Sequence, residues 1–376
     1  GDERAALAAY QRAVATAADS DGALAARRGL VELAASAGRP AGDSLAALVE
    51  ADHEPADVLA YARELARDGR GDDARAIYEL ARALGAPIVE DDDLWLAAHA
   101  ARAMASDEAY GAVPEADRRA LVDDPGDEPL AELFELVGEA ASLVCPDART
   151  ALERAGLGDA RRVPPTSESA AAAMYPQIAN ALGGPLTLVY ATTRPGTPDL
   201  ALLLASPPVV VLGPRLATVR ARTHADRHDP RADLELRFLL GRVVELARSR
   251  RLFAAAQEAD AFARMVAALR LAFARGTPPT ADRALAKDAE RLRTALPVQL
   301  RRRVTDCFVV FGDAGDPDAF RAACERAADR AGLLACGHAG IAIELAGGPT
   351  AARHLVRVAA SPAYLAARRA LRPRRA

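Results

Sequence analysis

Alanine is the feature that most restricts what this chain can fold into, because 93 of its 376 residues are alanine and only 4% are aromatic. Alanine has the highest intrinsic helix propensity, whereas the strands of an all-β domain need many β-branched and aromatic side chains. The composition therefore excludes an all-β sandwich and predicts closely packed helices through most of the chain. The length predicts two or three domains.

Charge and hydropathy exclude two classes of partner. The formal net charge is −4, which provides no general attraction for nucleic acid or an anionic bilayer. The longest apolar run, residues 200–213, is interrupted by Pro207 and Pro208 and is shorter than the roughly 18 residues of a membrane span. We therefore expect a protein that binds neither nucleic acid nor a membrane.

The cysteine spacing and the arginine content indicate the redox compartment and the type of genome. Four cysteines lie far apart with no Cys-x-x-Cys pair, which favours neither a disulfide framework nor a zinc knuckle. Lys287 is the only lysine, and the excess of alanine and arginine is typical of a GC-rich bacterial genome. We expect a bacterial protein in the reducing cytoplasm.

The first 87 residues contain an internal repeat. Ala6-x3-Tyr10-x2-Ala13 recurs 68 residues later, twice 34, as Ala74-x3-Tyr78-x2-Ala81. With Pro87 beyond the second copy, this spacing resembles the second helix of a tetratricopeptide repeat, whose period is about 34 residues. The resemblance implies antiparallel helical hairpins over residues 1–90 and a concave surface for a protein partner. An ordinary helical bundle is the alternative.

The next segment is also helical in pattern. Acidic residues at 90–93 precede Leu94-Trp95-Leu96, as at a helix start, where carboxylates favour the positive end of the helix dipole. Residues 131–145 form an amphipathic pattern, with Phe134 on the apolar face and Glu135 on the polar one. Residues 156–169 are rich in Gly and Pro without periodicity. We expect a helical connector over 91–163 and the main domain boundary near its end.

The last part of the chain, residues 164–376, is predicted to be an α+β domain with one small sheet. A helix over 170–182 is followed by short apolar runs at 186–190, 200–205 and 209–212, which indicate buried strands. Residues 234–248 then place their apolar side chains on one helical face. The overall prediction is a mostly α chain: helical-hairpin repeats followed by this α+β domain.

The order of helix, strand, strand, edge strand 209–213 and a helix opening Glu235-Leu236-x-x-Leu239-Leu240 resembles the zinc metallopeptidases of the CAAX-prenyl-protease and heat-shock-protease type. The resemblance implies a zincin-like fold. In that family the helix continues to His-Glu-x-x-His, in which the histidines bind zinc and the glutamate activates water. Here those positions are Arg242, Val243 and Leu246, and Ala256 stands at the third ligand. The resemblance therefore implies a peptidase-like domain that lacks its catalytic residues.

His224 and His228 have metal-ligand spacing, and Glu235 follows nearby. On a helix, a His-x3-His pair places both imidazoles on one side. Pro230 and the polar residues around the pair favour an exposed loop instead. These three residues are the candidates for a metallopeptidase with a non-standard zinc site.

Other motifs assign no chemistry. His338 and His354 have no Ser or Asp arranged around them, which favours packing or surface roles. Cys336 and His338 do not have the spacing of a catalytic pair. The glycines at 312–315 lack the Gly-x4-Gly-Lys-Ser/Thr pattern of a phosphate loop. The sequence therefore predicts no catalytic residue and no cofactor.

These observations predict a non-enzymatic interaction or scaffold protein with helical repeats and a pseudo-peptidase domain, and its partner is an unknown protein or peptide. The alternative is a zinc-dependent metallopeptidase that uses His224 and His228. A third hypothesis is a structural subunit that assembles with copies of itself.

Overall fold

A computed structural model describes residues 2–16, 21–104, 111–124, 128–218, 230–312 and 315–371. Over these residues the protein is mostly α-helical with one small sheet, which confirms the predicted fold class. The helices are α1 (Asp2–Thr16), α2 (Asp21–Ser36), α3 (Gly42–Ala51), α4 (Pro55–Arg67), α5 (Gly71–Ala83), α6 (Glu90–Met104), α7 (Glu115–Val122), α8 (Glu128–Glu139), α9 (Ala141–Val144), α10 (Ala148–Arg154), α11 (Ala170–Ala181), α12 (Pro214–Thr218), α13 (Pro230–Leu246), α14 (Ser249–Ala255), α15 (Ala259–Phe273), α16 (Arg283–Ala295), α17 (Val298–Phe311), α18 (Pro317–Cys336), α19 (Ala339–Leu345), α20 (Arg353–Ala360) and α21 (Pro362–Ala370). The strands are β1 (Arg161–Arg162), β2 (Leu188–Ala191), β3 (Leu200–Leu203) and β4 (Val209–Leu212).

The chain forms two compact units, each built from segments distant in sequence. Unit 1 comprises Gly1–Gly111, Pro230–Glu235 and Cys336–Ala376, and unit 2 comprises Ala112–Asp229 and Leu236–Ala335. The compact units are not divided at residues 90 and 163, where the sequence places boundaries. The division of the chain into the segments 1–90, 91–163 and 164–376 stays a prediction.

The N-terminal part of unit 1 is a series of helices in which each packs on the next, from α1 on α2 to α5 on α6. The connections are short: residues 68–70 join α4 to α5, and Gly69 has a φ of +74°, which favours glycine. Tyr10 covers Gly29 so closely that a Cβ there would lie 2.5 Å from Tyr10 Cζ. Both repeated tyrosines, Tyr10 in α1 and Tyr78 in α5, lie in helices, whereas the tetratricopeptide resemblance itself stays a prediction.

Helix α5 is the most enclosed helix of this series, because all nine residues from Asp73 to Ala81 are buried. A surface helix buries only one face, but α5 contacts α4 and α6 and also α19, α20 and α21. Three of the nine buried residues are charged, namely Asp73, Arg75 and Glu79. Buried charges require partners, so the side chains packed around α5 must supply them.

Unit 2 contains the four-stranded sheet, in the order β1-β2-β4-β3. Strand β2 pairs with β4 in parallel, and the two outer pairs are antiparallel. The three predicted strands are confirmed, but the prediction that residues 209–213 form an edge strand is wrong. Strand β4 lies between two neighbours and its residues are fully buried, because its parallel pairing with β2 occupies the side that we expected to be open.

Helix α10 covers one face of this sheet. Val209 and Val211 of β4 pack with Ala151 and Leu152 of α10. The alternation of side chains along a strand sends every second residue to the same face, so these two valines share it.

A second core of unit 2 surrounds Phe134 on α8. The centroid of its ring lies 5.4 Å from that of Phe253, 5.1 Å from that of Phe262 and 6.2 Å from that of Phe320. The predicted apolar face of this helix is therefore confirmed as core. The helix predicted over 131–145 is in fact two, since α8 ends at Glu139 and the short α9 follows.

None of the helices in the described part of the chain combines the length and the apolar character that crossing a bilayer requires.

Candidate functional site

Unit 1 contains a cavity of about 850 Å³ that is open to solvent on part of its surface. Its walls are formed by α5, α6, the first turn of α13 and residues 338–349, which include α19. The cavity therefore brings together three parts of the sequence that lie more than 100 residues apart.

Asp92 holds α6, one wall of the cavity, against its neighbours. Tyr78 Oη donates a hydrogen bond to Asp92 Oδ1 at 2.9 Å, and Arg63 Nη2 donates to Asp92 Oδ2 at 2.6 Å. Burial, together with the contact to Asp92, raises the pKa of Tyr78 to about 12. The predicted helix start at the acidic run is confirmed, and one of its carboxylates also holds α6 in place.

The polar wall of the cavity consists of Arg75, Glu79 and His338. Arg75 Nη1 donates to Glu79 Oε1 at 2.7 Å, and both side chains are about nine-tenths buried. His338 Nδ1 lies 3.8 Å from Glu79 Oε2. The arginine and the carboxylate therefore neutralise each other, and the imidazole is next to the pair.

His338 is fixed by capping α19. Its Nδ1 accepts the backbone N–H of Ile341 at 3.3 Å, so the neutral ring carries its proton on Nε2. Burial lowers the pKa of His338; Arg75 and Arg368 act in the same direction and Glu79 opposes them. At neutral pH His338 is an uncharged hydrogen-bond donor in the cavity wall.

Two further arginines at the cavity are also paired with carboxylates. Arg82 on α5 pairs with Asp93 on α6. Arg231 on α13 donates to Glu344 on α19 at 2.5 Å and to Glu235 at 2.8 Å. Each exposed cation at the cavity therefore has a carboxylate partner.

The remainder of the wall is apolar. It includes Leu96 on α6, Leu234 on α13, and Ile341 and Ile343 on α19. Leu96, Ile341 and Ile343 are buried in the unit, whereas Ala97 on α6 is exposed. An apolar segment of a ligand would find complementary surface here.

Two buried polar atoms lie in the layer behind this wall. Tyr364 is fully buried and its Oη has no hydrogen-bond partner among the described residues, and the same is true of Arg368 Nη2. Arg368 Nε donates to the carbonyl of Gly337 at 3.0 Å and its Nη1 to that of Asp72 at 2.6 Å. Arg368 thus ties α21 to the turn that carries His338.

The side chains that line the cavity are charged, aliphatic or imidazole groups, together with glycine and proline. Its described residues include no serine, threonine, cysteine, tyrosine or lysine to act as a nucleophile. Its three carboxylates, those of Glu79, Asp93 and Glu344, are all ion-paired with arginine. His338 uses one ring nitrogen as a helix cap. The arrangement therefore combines apolar side chains, paired charges and one imidazole around a space that can hold a ligand.

The predicted metal site falls mostly outside the described residues, since His224 and His228 lie in the segment 219–229. Glu235 is described, and its carboxylate accepts a hydrogen bond from Arg231. Across the ranges that the structure describes, no group of three or more His, Cys, Asp or Glu side chains is placed to hold a metal ion.

Unit 2 contains the positions that the metallopeptidase resemblance aligns with the zinc motif, and their side chains contact other residues of the unit. Arg242 Nη1 lies 3.0 Å from Asp329, and Arg242 also pairs with Glu325. Val243 is buried and Leu246 packs against the phenylalanine core. Arg242 is thus held by two carboxylates, and the side chains of Val243 and Leu246 have no atom that could bind a metal ion.

Glu245, which lies on the same helix between Val243 and Leu246, is the centre of a buried ion network. It has no exposed surface and accepts hydrogen bonds from Arg118 at 2.8 Å and from Arg248 and Arg251 at 2.9 Å each. Asp123 pairs with Arg251 at 2.6 Å and extends the network. Because all three partners of the Glu245 carboxylate are arginines of the same unit, this residue has a structural role.

Sequence reasoning did not identify the unit 1 cavity. It assigned His338 a packing or surface role and did not relate it to Glu79, which lies 259 residues earlier. Arg75 and Glu79 each follow a position of the repeat pattern by one residue, about 100° around the helix from its apolar face, so the pattern gives no reason to expect them in the interior. Residues 336–371, which pack against α5, have no sequence periodicity that would indicate this contact.

Comparison with known proteins gives no relative from which a function could be transferred: none of the family models, curated proteins or solved structures that were compared matches the chain.

Proposed function

We propose that the protein is a non-enzymatic binding protein that holds a short, largely apolar peptide segment of a partner in the cavity of unit 1. The observation that carries the proposal is the cavity itself. Its volume of about 850 Å³ lies within the ~300–1,000 Å³ of ordinary ligand sites. The cavity is also open to solvent on part of its surface, so a segment can enter without unfolding the unit.

The charge of the walls supports an uncharged ligand. Three arginines and three carboxylates line the cavity, so their formal charges cancel: Arg75, Arg82 and Arg231 against Glu79, Asp93 and Glu344. A charged ligand group would have to displace one of these pairs to be neutralised, at a cost in desolvation. Apolar side chains of a peptide would instead bury against Leu96, Ile341 and Ile343.

A peptide also suits the polar wall. A peptide backbone has carbonyl groups that need donors when they leave water, and His338 offers Nε2–H. The helical series α1 to α5 is the part that resembles a tetratricopeptide array, a class of fold that presents concave binding surfaces. The groove and the resemblance therefore support the same kind of partner.

The test uses a bulky side chain on an exposed wall position. Ala97 and Ala98 are adjacent and exposed on α6, but only Ala97 lines the cavity. A phage-displayed dodecapeptide library would be selected on the wild-type protein, on Ala97→Trp and on the matched control Ala98→Trp. We expect apolar sequences to be enriched on the wild type and on Ala98→Trp and not on Ala97→Trp. Equal enrichment on both variants, or none on the wild type, would contradict the proposal.

The absence of catalysis is tested on the same peptides. After prolonged incubation with the protein, mass spectrometry should show each enriched peptide intact. Cleavage that requires zinc and disappears in His224→Ala would favour the metallopeptidase alternative instead. The self-assembling scaffold differs in needing no separate partner, and light scattering would reveal it.

A further inference from the structure

Unit 2 contains a second, smaller cavity that the proposed function does not use. Its volume is about 240 Å³, and it lies among α9, α15 and α16, with Leu204 and Phe253 also in its wall. An apolar cavity of about 150 Å³ is large enough to hold benzene. The cavity can therefore hold a ligand of roughly ten non-hydrogen atoms.

The deep wall of this cavity is apolar. Phe253 and Ala268 are almost completely buried, and Val144, Met265 and Leu292 pack against the same phenylalanine core. Water in such a space would find few hydrogen-bond partners. The wall therefore suits an alkyl chain or an aromatic ring.

The polar side of the cavity carries net positive charge. Arg264 and Arg291 contribute +2 and Asp288 contributes −1, which gives +1. Arg264 Nε donates to Asp288 Oδ2 at 2.8 Å, so this pair is satisfied. Arg291 is exposed and forms no ion pair or hydrogen bond with any described residue. One guanidinium at the cavity is thus available for a ligand anion.

Gln257 adds a weakly held amide to the same wall. Its Nε2 donates to Met265 Sδ at 3.5 Å, and a thioether is a weak acceptor. A ligand oxygen would be a better partner for this amide than sulfur. The apolar wall, the free cation and the amide together call for one ligand with an apolar body and an anionic oxygen group.

We propose that this cavity of unit 2 binds a small aliphatic or aromatic monocarboxylate, with its apolar part in the cavity and its carboxylate at Arg291. Octanoate has ten non-hydrogen atoms and is the probe of choice. The uncharged 1-octanol is the comparison probe, because it has the same eight-carbon chain with a hydroxyl in place of the carboxylate. The proposal is independent of the peptide site in unit 1.

Isothermal titration calorimetry of the full chain with both probes tests the proposal. We expect one octanoate per chain, bound about fivefold more tightly than octanol, which corresponds to one exposed ion pair. In Arg291→Glu this preference should disappear. Arg283→Glu makes the same substitution at an exposed position of α16 that lies about two turns from Arg291 and does not line the cavity, and it should keep the preference.

A second pair of variants tests the location. Ala261 is exposed and lines the cavity, whereas the exposed Ala259 on the same helix does not. Ala261→Trp should abolish octanoate binding and Ala259→Trp should retain it. The proposal would be overturned if octanoate failed to bind at millimolar concentration, if octanol bound as tightly as octanoate, or if Ala261→Trp left binding unchanged.

Discussion

Arg75 and Glu79 lie one helical turn apart on α5, and their side chains form a hydrogen bond of 2.7 Å on a helix buried along nine consecutive residues. Such a pair is unusual in the interior, because the charged residues of an amphipathic helix normally face solvent. It exists here because α19, α20 and α21 cover the side of α5 that would otherwise be exposed. The covering segment also supplies His338 and so creates the polar wall of the cavity.

Glu79→Ala should strongly destabilise the protein. Removing one partner of a buried ion pair leaves the other charge without compensation, and the usual cost is about 3–5 kcal/mol. The free energy of unfolding in urea measures the effect. The double variant Arg75→Met/Glu79→Leu removes both charges and should recover most of the loss. A single variant no less stable than the double variant would show that the charges are not coupled.

Glu245→Gln should have a comparably large effect in unit 2. It removes the charge that three arginines share in a fully buried network, again at a cost of about 3–5 kcal/mol. Glu153→Gln is the control, because Glu153 and Arg149 form an exposed pair that contributes less than about 1 kcal/mol. Equal unfolding midpoints for the two variants would refute this account of the network.

Tyr364→Phe should leave the stability unchanged or raise it. The Tyr364 hydroxyl is buried without a hydrogen-bond partner in the described structure, so the native state bears its desolvation cost. Phenylalanine keeps the packing of the ring and removes that cost. Thermal unfolding of the two proteins measures the difference. A drop of more than about 1 kcal/mol would mean that the hydroxyl makes a bond this account omits.

The acid stability of unit 2 should depend on Glu115. Hydrogen bonds from Arg118 lower the pKa of Glu115 from 4.5 to about 2, with Arg119 and Arg248 acting in the same direction. Because the folded pKa lies below the unfolded one, this stabilisation is complete above pH 4.5 and is lost as the pH falls towards 2. The stability difference between the wild type and Glu115→Gln should therefore shrink over that range. A stability difference between the two proteins that does not change with pH would contradict this role of Glu115.

The cysteines should react slowly while the protein is folded. Burial raises the pKa of Cys145 to about 11, and burial with the nearby Glu132 does the same for Cys307. At pH 8 only about one such thiol in a thousand is ionised, and the thiolate is the reactive form. Cys324 and Cys336 are buried. Ellman's reagent should detect four thiols promptly in the protein unfolded by denaturant and far fewer over the same time in the native protein. Rapid reaction of all four in the native protein would contradict this.

Local patterns were predictable because they depend on neighbouring residues. The strands at 188–191 and 209–212, the helix start at the acidic run and the buried face around Phe134 all follow from periodicity and composition. The end of α8 was not predicted, because the apolar pattern continues into α9 beyond the break.

Relationships between distant segments were not predictable from one sequence. The interior position of β4 depends on parallel pairing with β2, which a short apolar run does not reveal. The cavity depends on the return of residues 336–371 to α5. Only the structure shows that His338 lies next to Glu79, since no sequence pattern relates the two residues.

The most direct test of the proposed function is a fluorescence-anisotropy titration with a labelled peptide enriched on the wild-type protein. Ala97→Trp places an indole at the wall of the cavity of unit 1, and Ala98→Trp adds the same side chain to the same helix at a position that does not line the cavity. The account predicts that Ala98→Trp binds within about twofold of the wild type and that Ala97→Trp binds at least about tenfold more weakly, a loss of about 1.4 kcal/mol. Equal affinity for the two variants would contradict the account, because the peptide would then bind elsewhere.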